Sequence, residues 1–332
     1  MRQVDKGVGF FREAGRGKMR RLIVSTAVAL FVIALNADGF AAQNLPIPIT
    51  ECGEIAQPGK YVLENDLTLP ESEQGNGVGG TCLVISASHV KIDLNGLTIG
   101  LECLPHTYCP SDLGAMGGTG IDITTGADHV SISNGTVDDY VYGIVGEADH
   151  LSVTKMNLRA VVGLTLDDVS RSSFTDIAYE GADIDYHSAN GPILYLNGGG
   201  KNVFNNLSGQ VGSDLGGPNG IEVVNSNDNL ISGVSLENVS CGGTDIQLSD
   251  ESRSNIVTGN NLFDDCGSGI QLQMGSTHNA IVGNTVVVAS PPDVYAMFDE
   301  NPDCRKDLWM NNTFSNIFAA GEVSASPANC IH

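Results

Sequence analysis

"DNLISGVSLENVSCGGTDIQLSDESRSNIVTGNNLFDDCGSGIQLQMGSTHNAIVGNTV" (residues 228–286) repeats itself without copying itself. NLISGVSL (229–236), NIVTGNNLF (255–263) and NAIVGNTV (279–286) share one pattern, and TDIQL (244–248) and SGIQL (268–272) share another. Aligned on one apolar position, the pattern extends through Ile92, Ile132, Val153, Phe174, Phe204, Ile231, Val257, Ile281 and Trp309. A second apolar position precedes it, at Ile121, Ile144, Leu164, Leu194, Ile221, Ile246, Ile270 and Ala296, mostly just after a glycine. A third follows it at Leu97, Val137, Leu158, Tyr179, Val234 or Leu236, Leu262, Val286 and Phe314. Three short apolar strands in every ~25 residues, with turns free to vary, predict a stack of coils in which each coil adds one strand to each of three parallel sheets. Inward positions must stay apolar or stackable, so the repeats resemble one another without matching. The reading is an all-β, single-stranded right-handed parallel β-helix of about nine coils. It places the helix at residues 80–318, a strand-bearing cap at 43–79 and a C-terminal cap tail at 319–332.

Asn95, Asn260, Asn284 and Asn312 each stand three residues after the aligned position. Stacked on neighbouring coils, such amides satisfy one another inside the turn. Asparagine as simple turn composition explains the same residues.

The N-terminus reads as an export signal. RGKMRR (16–21) is basic, LIVSTAVALFVIAL (22–35) is apolar throughout, and small residues follow up to Ala41 and Ala42. The run is shorter than the ~20 residues that span a bilayer, so a cleaved signal at 1–42 is expected and no membrane segment after it. Seven of the 16 basic and three of the 39 acidic residues lie in that segment, leaving nine against 36 and a net charge of −27. This balance excludes nucleic acid as a partner, because phosphates need lysine and arginine. All eight cysteines lie beyond the signal, and an even number in an exported chain points to disulfides. Cys241 and Cys266 fall at nearly equal places on neighbouring coils; Cys103–Cys109 would close one loop and Cys304–Cys330 would tie the C-terminus. Cys52–Cys82 is left by elimination.

Residues 80–318 resemble the pectin-lyase-like right-handed β-helix superfamily, in particular its generic repeat-containing branch with periplasmic copper-accessory β-helix domains. ITECGEIAQPGKYVLENDLT (49–68) looks like the strand pair that opens such helices. The resemblance implies a site on the outer face of the strand that opens with Gly-Ile. It is specific for fold and poor for function. FDDCGSGIQL (263–272) shares Asp-Asp-Cys with polygalacturonases, and the match stops there.

On that outer face the expected row is Asp122, Val145, Thr165, Leu194, Glu222, Gln247, Gln271 and Met297. Two long loops enter it, at 180–192 and 208–220, and long solenoid loops commonly line a binding face. They carry Asp183, Asp185, Tyr186, His187 and Asp214, close to Glu222. Two carboxylates there could act as acid and base or nucleophile on a glycosidic bond, or hold Ca²⁺ through oxygen. A solvated acidic loop accounts for the same residues. Asp138, Asp139, Tyr140 and Tyr142 form a further acidic and aromatic cluster, and Tyr295 adds another ring for sugar stacking. His129 and His150, with Asp128 and Asp149 beside them, could share a metal ion. They belong to a row three residues before the aligned position, an exposed turn where polar residues are expected anyway. Two functional classes follow. One is a polysaccharide hydrolase or lyase; the other is a non-catalytic exported protein that binds a surface glycan, a metal ion or a partner protein.

Overall fold

The computed structural model describes residues 45–69, 80–101, 118–181, 191–211, 218–238, 243–264, 267–289, 295–316, 325–326 and 331. The expected signal segment lies outside them. So do Asp183, Asp185, Tyr186, His187 and Asp214, and the cysteines Cys103, Cys109, Cys241, Cys266 and Cys330. Every strand pairing in the described part is parallel, and the strands join into one curled sheet. The nine aligned positions are successive register partners from Ile92 to Trp309. The stack also extends below them. Ile47 pairs with Tyr61 and Tyr61 with Ile92, so the strands of 47–69 form coils of the same kind.

The second column runs Leu83, Ile121, Ile144, Leu164, Leu194, Ile221, Ile246, Ile270 and then Met297. Met297, not Ala296, takes the last place. In the third column Ile99 replaces Leu97, because the turn at Asn95–Gly96 inserts two residues of positive φ before the strand Thr98–Leu101. Leu236, not Val234, pairs with Leu262. These columns are buried almost without exception, and Phe174 stacks on Phe204 with ring centres 5.0 Å apart. Each such side chain contributes roughly 1.5–3 kcal/mol by leaving water.

Two asparagine ladders close the turns. In the expected one, the Val234 amide donates to Asn260 Oδ1, the Asn260 amide to Asn284 Oδ1, and the Asn284 amide to Asn312 Oδ1, at 2.8, 3.1 and 2.9 Å. Each Nδ2 donates back to a backbone carbonyl, of Ile231, Val257 and Ile281 in turn. Asn95 is not a rung: it is exposed, with φ 57°. The second ladder stands two residues before the aligned position. Amides of Ser172, Asn202, Asn229, Asn255 and Asn279 donate to the side-chain oxygens of Asn202, Asn229, Asn255, Asn279 and Asp307, at 3.0, 3.0, 2.9, 3.0 and 2.7 Å. The four asparagines are buried. In earlier coils the same place is held by Val90, Val130 and Leu151, so the lower corner is apolar and the upper one polar.

Cys52 and Cys82 form a disulfide with Cα atoms 4.6 Å apart, on coils whose register pairs Gly53 with Leu83. Cys304 is also disulfide-bonded, to a partner outside the described residues.

Candidate functional site

The outer row of the sheet that opens with Gly-Ile is fixed by register: Val84, Asp122, Val145, Thr165, Tyr195, Glu222, Gln247, Gln271 and Phe298. Two expected members are corrected. Leu194 and Met297 point into the core, and their neighbours Tyr195 and Phe298 face out. Alternation along a strand sends adjacent side chains to opposite faces, so a one-residue slip reverses the assignment.

The corrected row has an order that the sequence reading missed. Aromatic rings stand at both ends of an acidic and amide segment. Tyr195 lies one coil from Glu222. Gln247 and Gln271 follow, and then Phe298, which stacks on Tyr295 with centres 5.5 Å apart. Four coil spacings of about 4.8 Å put the two aromatic ends roughly 19 Å apart. The amides are held rigidly. Asn219 Nδ2 donates to Gln247 Oε1 at 2.9 Å, Gln247 Nε2 to Gln271 Oε1 at 3.0 Å, and Gln271 Nε2 to Glu300 Oε1 at 2.8 Å. Thr244 Oγ1 also donates to Gln271 Oε1.

The field over this face is negative. Burial, then Glu222, Asp167 and Asp250, push the Tyr195 hydroxyl above its ordinary pKa. Burial and Glu147 raise the carboxyl of Asp122. Asn197 Nδ2 holds Asp167 at 2.9 Å. The two long loops lead into the strands Leu194–Asn197 and Ile221–Val224, which carry Tyr195 and Glu222, while the loop residues expected beside Glu222 lie outside the described residues.

The second acidic cluster separates into parts. Tyr140 is core, with its hydroxyl donating to the Gly100 carbonyl at 3.0 Å, so it offers no ring to a sugar. Tyr142 is exposed. Asp139 is a bulge residue with φ 64°, skipped where Arg159 pairs with Asp138 and Ala160 with Tyr140. Arg159 bridges Asp138 at 3.1 Å and Glu180 at 3.6 Å across three coils. Burial and the neighbouring Asp139 raise the Asp138 carboxyl.

His129 and His150 stack ring on ring with centres 4.4 Å apart, and His89 leans on His129 at 4.8 Å, tilted by 35°. Parallel rings point their nitrogen lone pairs side by side, not at a common point. The whole row from His89 through Arg171, Lys201, Asp228, Ser254 and His278 to Lys306 has φ between 55° and 73°. Histidine, aspartate and asparagine tolerate this left-handed backbone better than most residues, which is a sufficient reason for four of the seven histidines to stand here. Asp128 Oδ1 accepts the Asp149 amide and Asp149 Oδ1 the Ser170 amide, while Asp149 Oδ2 pairs with Arg171. Those carboxylates are committed to the turns. Among the described residues no three histidine, cysteine or acidic side chains come together to hold a metal.

Solved structures share this architecture. The Dettilon tailspike protein superposes with a TM-score of 0.63 at 13% identity, over 84% of this chain and 57% of the tailspike chain. The chain has the right-handed parallel β-helix fold. DFA-IIIase from Arthrobacter chlorophenolicus A6, in complex with GF2, gives a TM-score of 0.53 at 14% identity, over 82% of this chain and 69% of the DFA-IIIase chain. Its C387A mutant with DFA-III gives 0.52 at 13%, over 83% and 76%. No family model and no curated protein matches the β-helix in sequence.

Proposed function

We propose that this is an exported carbohydrate-binding β-helix whose glycan lies along the outer row from Tyr195 to Phe298. The observation that carries the reading is the order of that row: a ring, a carboxylate, two fixed amides, and a stacked ring pair. Aromatic faces take the apolar faces of sugar rings, and immobilised amides fix hydroxyl groups at little entropic cost. The fold shared with a DFA-IIIase bound to GF2 supports the reading by analogy. Export fits the Cys52–Cys82 disulfide, which needs an oxidising compartment.

Turnover is the second step of the proposal. Glu222, beside Tyr195, is the described carboxylate best placed to act as acid or base on a glycosidic bond, with Asp183, Asp185 or Asp214 as its partner. The test starts with binding. A panel of neutral and acidic polysaccharides is screened against wild type and Tyr195→Ala. At least a tenfold loss of affinity in the variant is expected for any ligand found. Equal binding removes the outer row as the site. Reducing-end and 235 nm assays on the bound polysaccharide then separate hydrolase, lyase and plain binder. Glu222→Gln is expected to lower any turnover at least a hundredfold while binding persists.

A further inference from the structure

The residue before each second-column apolar side chain sits in a tight corner. Gly120, Gly143, Gly163, Gly220 and Gly269 hold this place in five coils. A Cβ on Gly120, Gly220 or Gly269 would come within 2.3, 2.1 or 2.0 Å of a side-chain carbon of Val137, Leu236 or Val286. In the coil between Gly220 and Gly269 the place is taken by Asp245. Its side chain is fully buried, and neither carboxylate oxygen has a hydrogen-bond partner among the described residues. Asp299 shows how this chain treats a buried carboxylate it needs only for structure. Its oxygens accept from the Asn301 amide, Asn301 Nδ2 and Trp309 Nε1.

Asp245 faces a second carboxylate. A column of the third sheet runs Val211, Asn238, Asp264, Val288 and Asn316; the first four are buried, so two polar groups stand between two buried valines. Asp264 accepts the Gly267 amide on Oδ1 and raises the pKa of Asp245, after burial itself. Glycines keep this corner open. A Cβ on Gly267 would lie 2.1 Å from the Gly243 carbonyl oxygen and 2.8 and 3.0 Å from the Asp264 carboxylate oxygens. A Cβ on Gly243 would lie 2.4 Å from the Pro218 carbonyl oxygen and 3.1 Å from the Asn238 amide nitrogen. The wall therefore presents two carboxylates, two backbone carbonyls, of which that of Gly243 also accepts the Ser268 amide, and the Asn238 side chain, whose amide nitrogen lies toward Gly243.

We propose that this inner corner, framed by Asp245, Asp264 and Asn238, binds a hard divalent cation, with Ca²⁺ as its ligand of choice. Ca²⁺ takes six to eight oxygen ligands in irregular geometry, including carboxylates and carbonyls. A proton shared by the two acids would neutralise one charge and leave an Asp245 oxygen without a donor. A cation engages both oxygens and turns the repulsion between the carboxylates into an ion-binding field. This site lies inside the coil, apart from the outer row, and does not depend on glycan binding.

The experiment uses the full chain, stripped with EDTA at pH 7.5, as wild type, Asp245→Asn and Asp264→Asn. Native mass spectrometry with 1 mM Ca²⁺ is expected to show one ion per wild-type chain that survives washing, and none in either variant. Saturating Ca²⁺ is expected to raise the wild-type Tm by about 5 °C and to leave Asp245→Asn unmoved. Equal Tm responses in wild type and Asp245→Asn would place the calcium effect elsewhere on this acidic surface and overturn the proposal. A wild-type chain that holds no ion, yet gains stability on acidification in a way Asp245→Asn does not, overturns it in favour of a shared proton. Should a variant fail to fold, the ion content of wild type decides alone.

Discussion

At the scale of single residues, the amide ladders carry the sharpest energetics. Asn255 accepts from the Asn229 amide and donates through Nδ2 to the Ser226 carbonyl and Asn279 Oδ1. Asn255→Ala leaves these buried groups unpaired, and a loss of about 3 kcal/mol is expected in urea unfolding. Asp307, at the end of the ladder, has its carboxyl raised to about 7, chiefly by burial, with Asp299 adding to it. A raised acid binds its proton more tightly in the folded chain. Its contribution is therefore whole below the unfolded pKa near 4 and is lost as pH climbs through about 7. Asp307→Asn should gain about 1 kcal/mol at pH 8 and nothing at pH 4; melting curves at both pH values check this. The second ladder was already visible in the repeat: Asn229, Asn255 and Asn279 each precede an apolar pair within residues 228–286. Asparagine also marks turns, and only the register of neighbouring coils reveals which kind a given residue is.

At the scale of the strand and its turns, the apolar columns were legible because a core position tolerates few residue types. Slips came where a turn changed length. Asn95–Gly96 displaced Leu97 from its column, and an Ile193–Leu194 pair put two inward residues in succession, hiding Tyr195. Outer residues face water, so composition constrains them weakly, and the aromatic ends of the candidate face had to wait for register. The corner glycines belong to this scale as well. Gly269→Ala would drive a methyl group onto Val286 and the Ala296 carbonyl. A loss of roughly 2–3 kcal/mol is expected from thermal unfolding, with the strand pairing of the coils above and below kept in hydrogen exchange.

Across the whole molecule, coils touch only their neighbours, so stability is a sum over adjacent interfaces and the ends are the weak places. The Cys52–Cys82 bridge joins coils at the N-terminal end across 30 residues of sequence. Loop-closure entropy assigns such a bridge about 3.6 kcal/mol. The Cys52→Ala, Cys82→Ala double variant should lose about that amount, and early hydrogen exchange should appear in Ile47–Leu69 before the central coils.

The upper asparagine ladder also has a direction. Every rung hands its backbone hydrogen upward to the next side-chain oxygen, and Asn202, Asn255 and Asn279 also reach back down with their own amide hydrogens. At the last rung stands an aspartate, which can receive but not reach back. A second molecule settling end-on above Asp307 would bury that carboxyl group further, beside Asp299, whose charge already raises it. The same device that ends the described ladder thus discourages fibres, the standing hazard of any protein built as an open-ended pile of strands.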